Sequence, residues 1–435
     1  MRGLFIGWGI ALAAVAAYPS GLAGQNTSRT TAQSERSESR GEVTFARDVA
    51  PILFANCAYC HRPGEVAPFS LLSYKDARPW AVSIKKAVST RQMPPWNADP
   101  HYGSFRDARR LTDAEIATIV AWVDGGAAEG NPADTPSLPQ FADGWQIGEP
   151  DLVLTMAQPV KIPATGTIPY MSVPTDYEFP QDTWIQAIEV RPGNRRVVHH
   201  AVASASMPSE SGVAGGQNVH LYSPGLEPMV WRDGYGKFFP KGTRISLQMH
   251  YNAIGTETTD ESKVGFRFAR TPVHTQVNTT IVLNSAIVVP PMVQKHEVIG
   301  AFQFPSEARI HGLRPHMHLR AQLGTASIIR PDGGRSVLLH IPQWDDAWQN
   351  YYVLSKPERV ARGTILEYLA SYDNSPANPL NPDPTRPVPW GQQVWDEMHS
   401  VYMTWTAVND QNRNDNEPIQ IPAKRLFATT KNTKD

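Results

Sequence analysis

The sequence predicts a multidomain protein, with a small all-α domain near the N-terminus followed by a long all-β region. Three observations carry this reading. Both cysteines of the 435-residue chain stand in one pentapeptide, Cys57-Ala58-Tyr59-Cys60-His61, flanked by apolar residues at helical spacing. From Pro132 onward, many of the 38 prolines punctuate short Val/Ile/Thr/Tyr runs, which argues against long helices and for strands. Beyond residue 190, His199-His200 sits in a β-branched stretch, and with His250, His316 and His318 it makes a set of histidines at ligand-like spacings. Net charge is −1 with no basic block, so nothing points to nucleic acid or an anionic membrane surface.

Residues 1–23 read as a secretory signal peptide: Arg2 gives a positive start, Leu4 to Ala17 is apolar, and Gly21-Leu22-Ala23 ends in small residues. The apolar run is short for a bilayer span. Retained as an anchor or cleaved, it places the folded part outside the cytoplasm, periplasmic or secreted, with no other membrane association expected. Residues 24–42 are Ser, Thr, Arg, Gln and Glu with almost nothing apolar, and predict a disordered linker.

Residues 43–131 form the predicted helical domain. The C-x-x-C-H spacing is that of covalent haem attachment through two thioethers, with His61 placed to bind the iron. A thioredoxin-like pair or half a zinc site would need a flanking βαβ pattern or a second Cys/His pair, and neither is present. Phe45 to Leu53 leads into Cys57 with apolar residues three and four apart. A second amphipathic helix opens at Leu111, with Thr112 and Glu115 as a capping box and Gly125-Gly126 as the stop. Met93 in Arg91-Gln92-Met93-Pro94-Pro95-Trp96 is the best candidate for the sixth iron ligand, with His101 competing. The C-x-x-C-H and M-P-P-W pairing resembles that of a class of bacterial cytochrome c domains. A His/Met iron would suit electron transfer.

Residues 132–145, with Pro132, Pro136 and Pro139, read as a semi-rigid connector. Beyond it, His199-His200 lies in Val197 to Val202, His250 follows in Leu247-Gln248-Met249-His250-Tyr251, and His316-Met317-His318 comes third. Residues two apart on a strand share a face, so His316 and His318 can converge on one metal. Adjacent His199 and His200 point apart on a flat strand, and can share an ion only where the strand bends or ends, or through different ring nitrogens.

In order, Val198-His199-His200, Leu247-Gln248-Met249-His250-Tyr251, Arg314-Pro315-His316-Met317-His318, and Asp396-Glu397-Met398 with Tyr402 resemble the motifs of the copper type II, ascorbate-dependent monooxygenases, the family of peptidylglycine α-hydroxylating and dopamine β-monooxygenases. The resemblance implies a first copper on His199, His200 and His250, and a second on His316, His318 and Met398. It also implies two antiparallel jelly-roll sandwich domains, over residues 146–275 and 276–435, whose copper sites face each other across a solvent-filled cleft. Three imidazoles suit copper in either state, and a thioether beside two imidazoles favours Cu(I).

Two departures qualify the resemblance. The animal enzymes are stapled by disulfides, whereas here both cysteines are committed to haem. Where the amidating enzyme holds a substrate carboxylate with Arg, Asn and Tyr, Arg314 and Tyr402 are present, but Ser400 takes the middle place. Arg314 and Tyr402 remain the substrate-binding candidates, Arg314 with an ion pair as its structural alternative. His220, His274, His296, His340 and His399 read as structural, and His311 as a support for a ligand. The turn-rich stretch 372–382 is a candidate wall of the substrate cleft.

The function expected is C–H hydroxylation of a small-molecule or peptide-like substrate by O2 at two coppers. The haem would supply electrons from an external donor such as ascorbate or a periplasmic redox protein. The alternative is a non-catalytic copper-binding or haem–copper electron-transfer protein.

Overall fold

Apolar residues three and four apart near the N-terminus resolve into short helices, and the Pro-punctuated runs beyond them into strands. The computed structural model describes residues 42–106, 108–141, 144–208 and 215–422. The expected signal peptide and nearly all of the 24–42 linker lie outside the described residues. None of the described helices is long and apolar enough to cross a membrane.

A π-helical turn, Phe45–Val49, runs into α1 (Ala50–Asn56), where Pro51 occupies the first turn, a position that needs no amide hydrogen. Helix α2 (Tyr74–Ala77) begins at Ser73, whose hydroxyl accepts from the Asp76 amide. Next come α3 (Ala81–Ser89) and α4 (Asp113–Asp124). Helix α4 starts on the capping box predicted at Thr112 and Glu115. Phe45, Leu53, Ile84, Ile119 and Trp122 form the apolar cluster of this segment, and the Trp122 indole donates to Ala128 O at 2.9 Å.

The β region begins with eight principal strands: β1 (Leu152–Thr155), β2 (Met171–Glu178), β3 (Thr183–Arg191), β4 (Val198–Met207), β5 (Gly215–Tyr222), β6 (Tyr235–Phe239), β7 (Arg244–Tyr251) and β8 (Lys263–Phe268). One sheet runs β1-β8-β3-β6 and a second β2-β7-β4-β5. Burial alternates along β2, as on a strand with one covered face, whereas Ile185 to Val190 of β3 are all buried. Ile147, Val230 and Trp145 cover the second face of β3 around Ala187. Residues of both sheets, including Ile185, Phe266, Leu247 and Ala203, share one core.

Eight more strands follow: β9 (Asn278–Leu283), β10 (His296–Gln303), β11 (Ala308–His316), β12 (Ala321–Ile329), β13 (Arg335–Ile341), β14 (Tyr352–Val360), β15 (Ile365–Tyr372) and β16 (Ser400–Ala407). They make the sheets β9-β16-β11-β14 and β10-β15-β12-β13, which share a second core containing Ile310, Leu313, Tyr368 and Met403.

The expected fold class, a small all-α cytochrome c domain followed by two all-β antiparallel jelly-roll sandwich domains, is not what the structure contains. The described chain is mostly β, its helices are few and short, and from Glu42 onward it belongs to one compact unit. The physical reason lies in residues 94–106, which are not helical and pack into the β structure. Trp96 stands edge-on to Tyr352 at 4.9 Å, Ala98 belongs to the second β core, and Phe105 bridges to Leu354 of β14. Tyr59 reaches Gln146 at 2.8 Å and Arg195 reaches Glu65 at 2.8 Å, tying the helical segment to the first two sheets as well. Too little of this segment is helical, and too much of its surface is shared, for a free-standing all-α domain.

Candidate metal centre

Strand β4 pairs with β7 so that His200 faces His250, while Val198 faces Tyr251. Two residues of β4 are thus spanned by one step of β7, and His199 is the bulged residue between them. The bulge supplies the bend that adjacent histidines need to converge. The ligand nitrogens of His199, His200 and His250 all lie within 4.8 Å of one another. His250 Nδ1 is 3.0 Å from His199 Nδ1 and 3.4 Å from His200 Nδ1.

His316 ends β11 and His318 lies just beyond it, with ring centroids 5.2 Å apart. His316 Nδ1 is 2.6 Å from Gln349 Oε1, so the side-chain amide orients this ring. The His318 amide donates to Glu397 Oε2 at 3.0 Å, and its Nδ1 lies 3.4 Å from Asp396 O. Its buried Nε2 has no hydrogen-bond partner among the described residues, which leaves that atom open to water or a metal ion. Met398, half-buried, follows Glu397 directly, and its carbonyl accepts from the Tyr372 hydroxyl at 2.9 Å.

The two histidine sets adjoin. His200 and His316 have ring centroids 6.1 Å apart, and Tyr170 lies against His250 at 4.2 Å, His200 at 5.3 Å and His318 at 6.1 Å. The resemblance implied a solvent-filled cleft at this place, and an aromatic ring lies there. Burial disfavours the imidazolium, so all five histidines titrate below the ordinary range, His250 at about 3 and His316 at about 4. Neutral imidazole is the form that binds metal. Two close rings, an orphaned nitrogen and uncharged donors fit a soft or borderline metal ion such as copper.

Several participants carried no signal in the sequence. Tyr170 sits in an ordinary Pro-Tyr step, and its buried hydroxyl has no partner. The segment Asp345 to Gln349 supplies a backbone hydrogen bond to His199 through Ala347 and the amide on His316. Asp346 accepts from Gln349 at 3.2 Å, and burial lifts its carboxyl to about 7. Glu397 accepts three backbone amides, from His318, Arg320 and Met398, yet burial still raises it to about 8.

At the C-x-x-C-H motif, Cys57 continues the last turn of α1, and the Cys60 and His61 amides both donate to Cys57 O at 3.1 and 3.0 Å. Neither thiol is in a disulfide. His61 Nδ1 is 3.2 Å from Phe69 O, so the tautomer with hydrogen on Nδ1 leaves Nε2 as the ligand atom. These features fit thioether attachment and a histidine axial ligand. Met93 lines a cavity of about 880 Å³ with Leu111, Ile116 and Trp344, and Cys57, Cys60 and His61 do not line it. His101 is exposed and pairs with Asp99 at 2.7 Å.

The remaining histidines stand apart from the cluster. His274 bonds Thr275, His340 bonds Thr325, His399 bonds Tyr368 O and His311 bonds Thr406, all at 2.9 to 3.1 Å. In the 372–382 stretch, Asn374 is buried and accepts from Arg320 Nε at 2.9 Å, so this loop braces the residues following His318. Arg314 is buried, and its guanidinium lies 4.3 Å over the Tyr402 ring.

No protein-family model matches this chain, and no curated protein does. Among solved structures, infectious bursal disease virus, Gx strain, is similar at 10% identity over 63% of this chain and 73% of that one, with a TM-score of 0.20. Allantoicase is similar at 8% identity over 49% and 81%, with a TM-score of 0.17. A turret protein of Sulfolobus turreted icosahedral virus is similar at 7% identity over 59% and 99%, with a TM-score of 0.13. Likenesses of this size carry no assignment.

Proposed function

We propose that this protein is a copper-dependent monooxygenase, acting outside the cytoplasm, that hydroxylates a C–H bond of an organic substrate with O2. The observation that carries the reading is the convergence of His199, His200, His250, His316 and His318 on one buried basin around Tyr170. The ordered motifs that end in Asp396-Glu397-Met398 support it from the sequence side. Copper would supply one-electron chemistry with O2 on the imidazoles of these residues, with Met398 as the thioether on the second set.

The chain's own residues have definable tasks. Burial keeps the five imidazoles neutral and available as donors. Gln349 holds the His316 ring, and Glu397 fixes the backbone around His318 by accepting the His318 and Arg320 amides, which limits the freedom either ligand would lose on binding. Tyr170 packs its ring against His200 and His250 of the first set and His318 of the second. Cys57, Cys60 and His61 are the proposed haem attachment, and a haem there would supply electrons one at a time.

The test is metal and haem content together with O2 uptake on full-length protein exported from cells supplied with copper and haem. Two coppers per chain, haem that resists acid acetone, and O2 consumption that rises with an added C–H substrate are expected. Replacing His200 and His318 by alanine should abolish the substrate-dependent uptake. Copper content that is no higher in the parent protein than in this variant would overturn the reading.

A further inference from the structure

We propose that Asp346 is a positioning residue for the second histidine set: acting through the Gln349 amide, it decides which nitrogen of His316 carries hydrogen and which is left for a metal. The proposal rests on reading His316 as a ligand. Asp346 lies in the connection between β13 and β14, and neither strand carries a histidine or methionine of the two sets. Nothing in the ordered motifs points to it.

The hydrogen bonds from Asp346 to His316 can run in one direction only. A carboxylate and a backbone carbonyl both accept and neither donates. Asp346 offers one of each to Gln349 Nε2, its Oδ1 at 3.2 Å and its O at 3.4 Å. The amide nitrogen is therefore turned toward Asp346 and the amide oxygen toward His316 Nδ1, 2.6 Å away. An oxygen acceptor at that distance requires Nδ1 to be the N–H, which leaves the Nε2 lone pair for a metal. With the amide reversed, its NH2 would face Nδ1, the ring would carry hydrogen on Nε2, and that lone pair would be lost. An amide by itself fits a neutral imidazole in either sense, so Asp346 separates the two states.

Burial gives the preference its strength. Asp346 and Gln349 are both buried, so reversing the amide would set Oε1 against two acceptor oxygens and leave them without a donor. The turn around them is held separately. Asp345 Oδ1 accepts the Ala347 amide at 3.0 Å, and Asp345 O accepts the Trp348 amide at 3.0 Å. The bond from the Ala347 backbone to His199 is thus independent of the Asp346 side chain. Removing the Asp346 carboxylate should act on the second set and spare the first, which serves as an internal control.

The experiment reads the tautomer of His316 by nitrogen NMR on full-length, metal-free protein labelled with 15N-histidine, with the resonances assigned against His316→Gln. The parent protein should show the Nδ1–H tautomer, and in Asp346→Leu the Nε2–H tautomer should appear. In copper titrations against a competing chelator, Asp346→Leu should weaken the second site about 10–100-fold and leave the first unchanged. Asp346→Asn, which keeps an oxygen acceptor, should restore most of that affinity. Gln349→Leu should match Asp346→Leu, and the double variant should lose nothing further, because the two residues act as one unit. An Nε2–H His316 in the parent protein would overturn the proposal whether or not any variant folds, and so would an unchanged tautomer in Asp346→Leu. The tautomer is read without metal, so a parent protein that binds no copper would sink the copper reading and leave this result standing.

Discussion

Glu189 and the five clustered histidines respond to the same force in opposite directions. Burial disfavours whichever form is charged, so the imidazoles are pushed down while the Glu189 carboxyl is raised from 4.5 to about 7. Glu189 Oε2 accepts the Gln146 and Ile147 amides at 2.6 and 3.1 Å, which opposes the rise without cancelling it. Between pH 4.5 and about 7 the folded state therefore binds a proton that the unfolded state has released. Stability from this group is fully present below pH 4.5 and is lost as the pH climbs through about 7. Glu189→Gln keeps the neutral form at every pH, so its unfolding midpoint should fall less between pH 5 and pH 8 than that of the parent protein. Identical pH slopes in a thermal-unfolding series would show that Glu189 is not the residue responsible.

At the scale of elements, local chemistry was legible where it is complete within a few residues. The Thr112–Glu115 capping box is such a case: Thr112 Oγ1 accepts from the Glu115 amide at 3.2 Å, and Glu115 returns a carboxylate to the Thr112 amide at 2.7 Å. Thr112→Ala should cost about 0.5–2 kcal/mol of stability, read as a lower midpoint in urea unfolding with an unchanged slope. An unchanged midpoint would mean that packing against α3 alone holds α4. The bulge at His199 is the contrary case. The sequence shows that two adjacent histidines require a bend, but the bend exists because β4 steps twice while β7 steps once, a register that depends on residues about fifty positions away.

At the scale of the whole molecule, the position of His200 against His316 depends on how the first two sheets meet the last two. On the proposed reading, two Cu(II) ions on ligands whose rings lie 6.1 Å apart should interact magnetically. Electron paramagnetic resonance of protein loaded with two Cu(II) should then give a spin count well below the copper content. Two independent signals that account for all the copper would place the metals apart and remove Tyr170 from between them.

The sequence by itself determined the local features: the C-x-x-C-H turn, the capping box and the β-rich character beyond Pro132. Each is set by neighbours within one turn or one strand, where steric and hydrogen-bonding rules act directly. Only the tertiary structure decided that residues 94–106 would join the β cores, and that Tyr170, Gln349 and Glu397 would surround the histidines. These depend on contacts between residues tens to hundreds of positions apart. Such contacts are chosen by how well whole surfaces exclude water, and no short stretch of sequence carries that information.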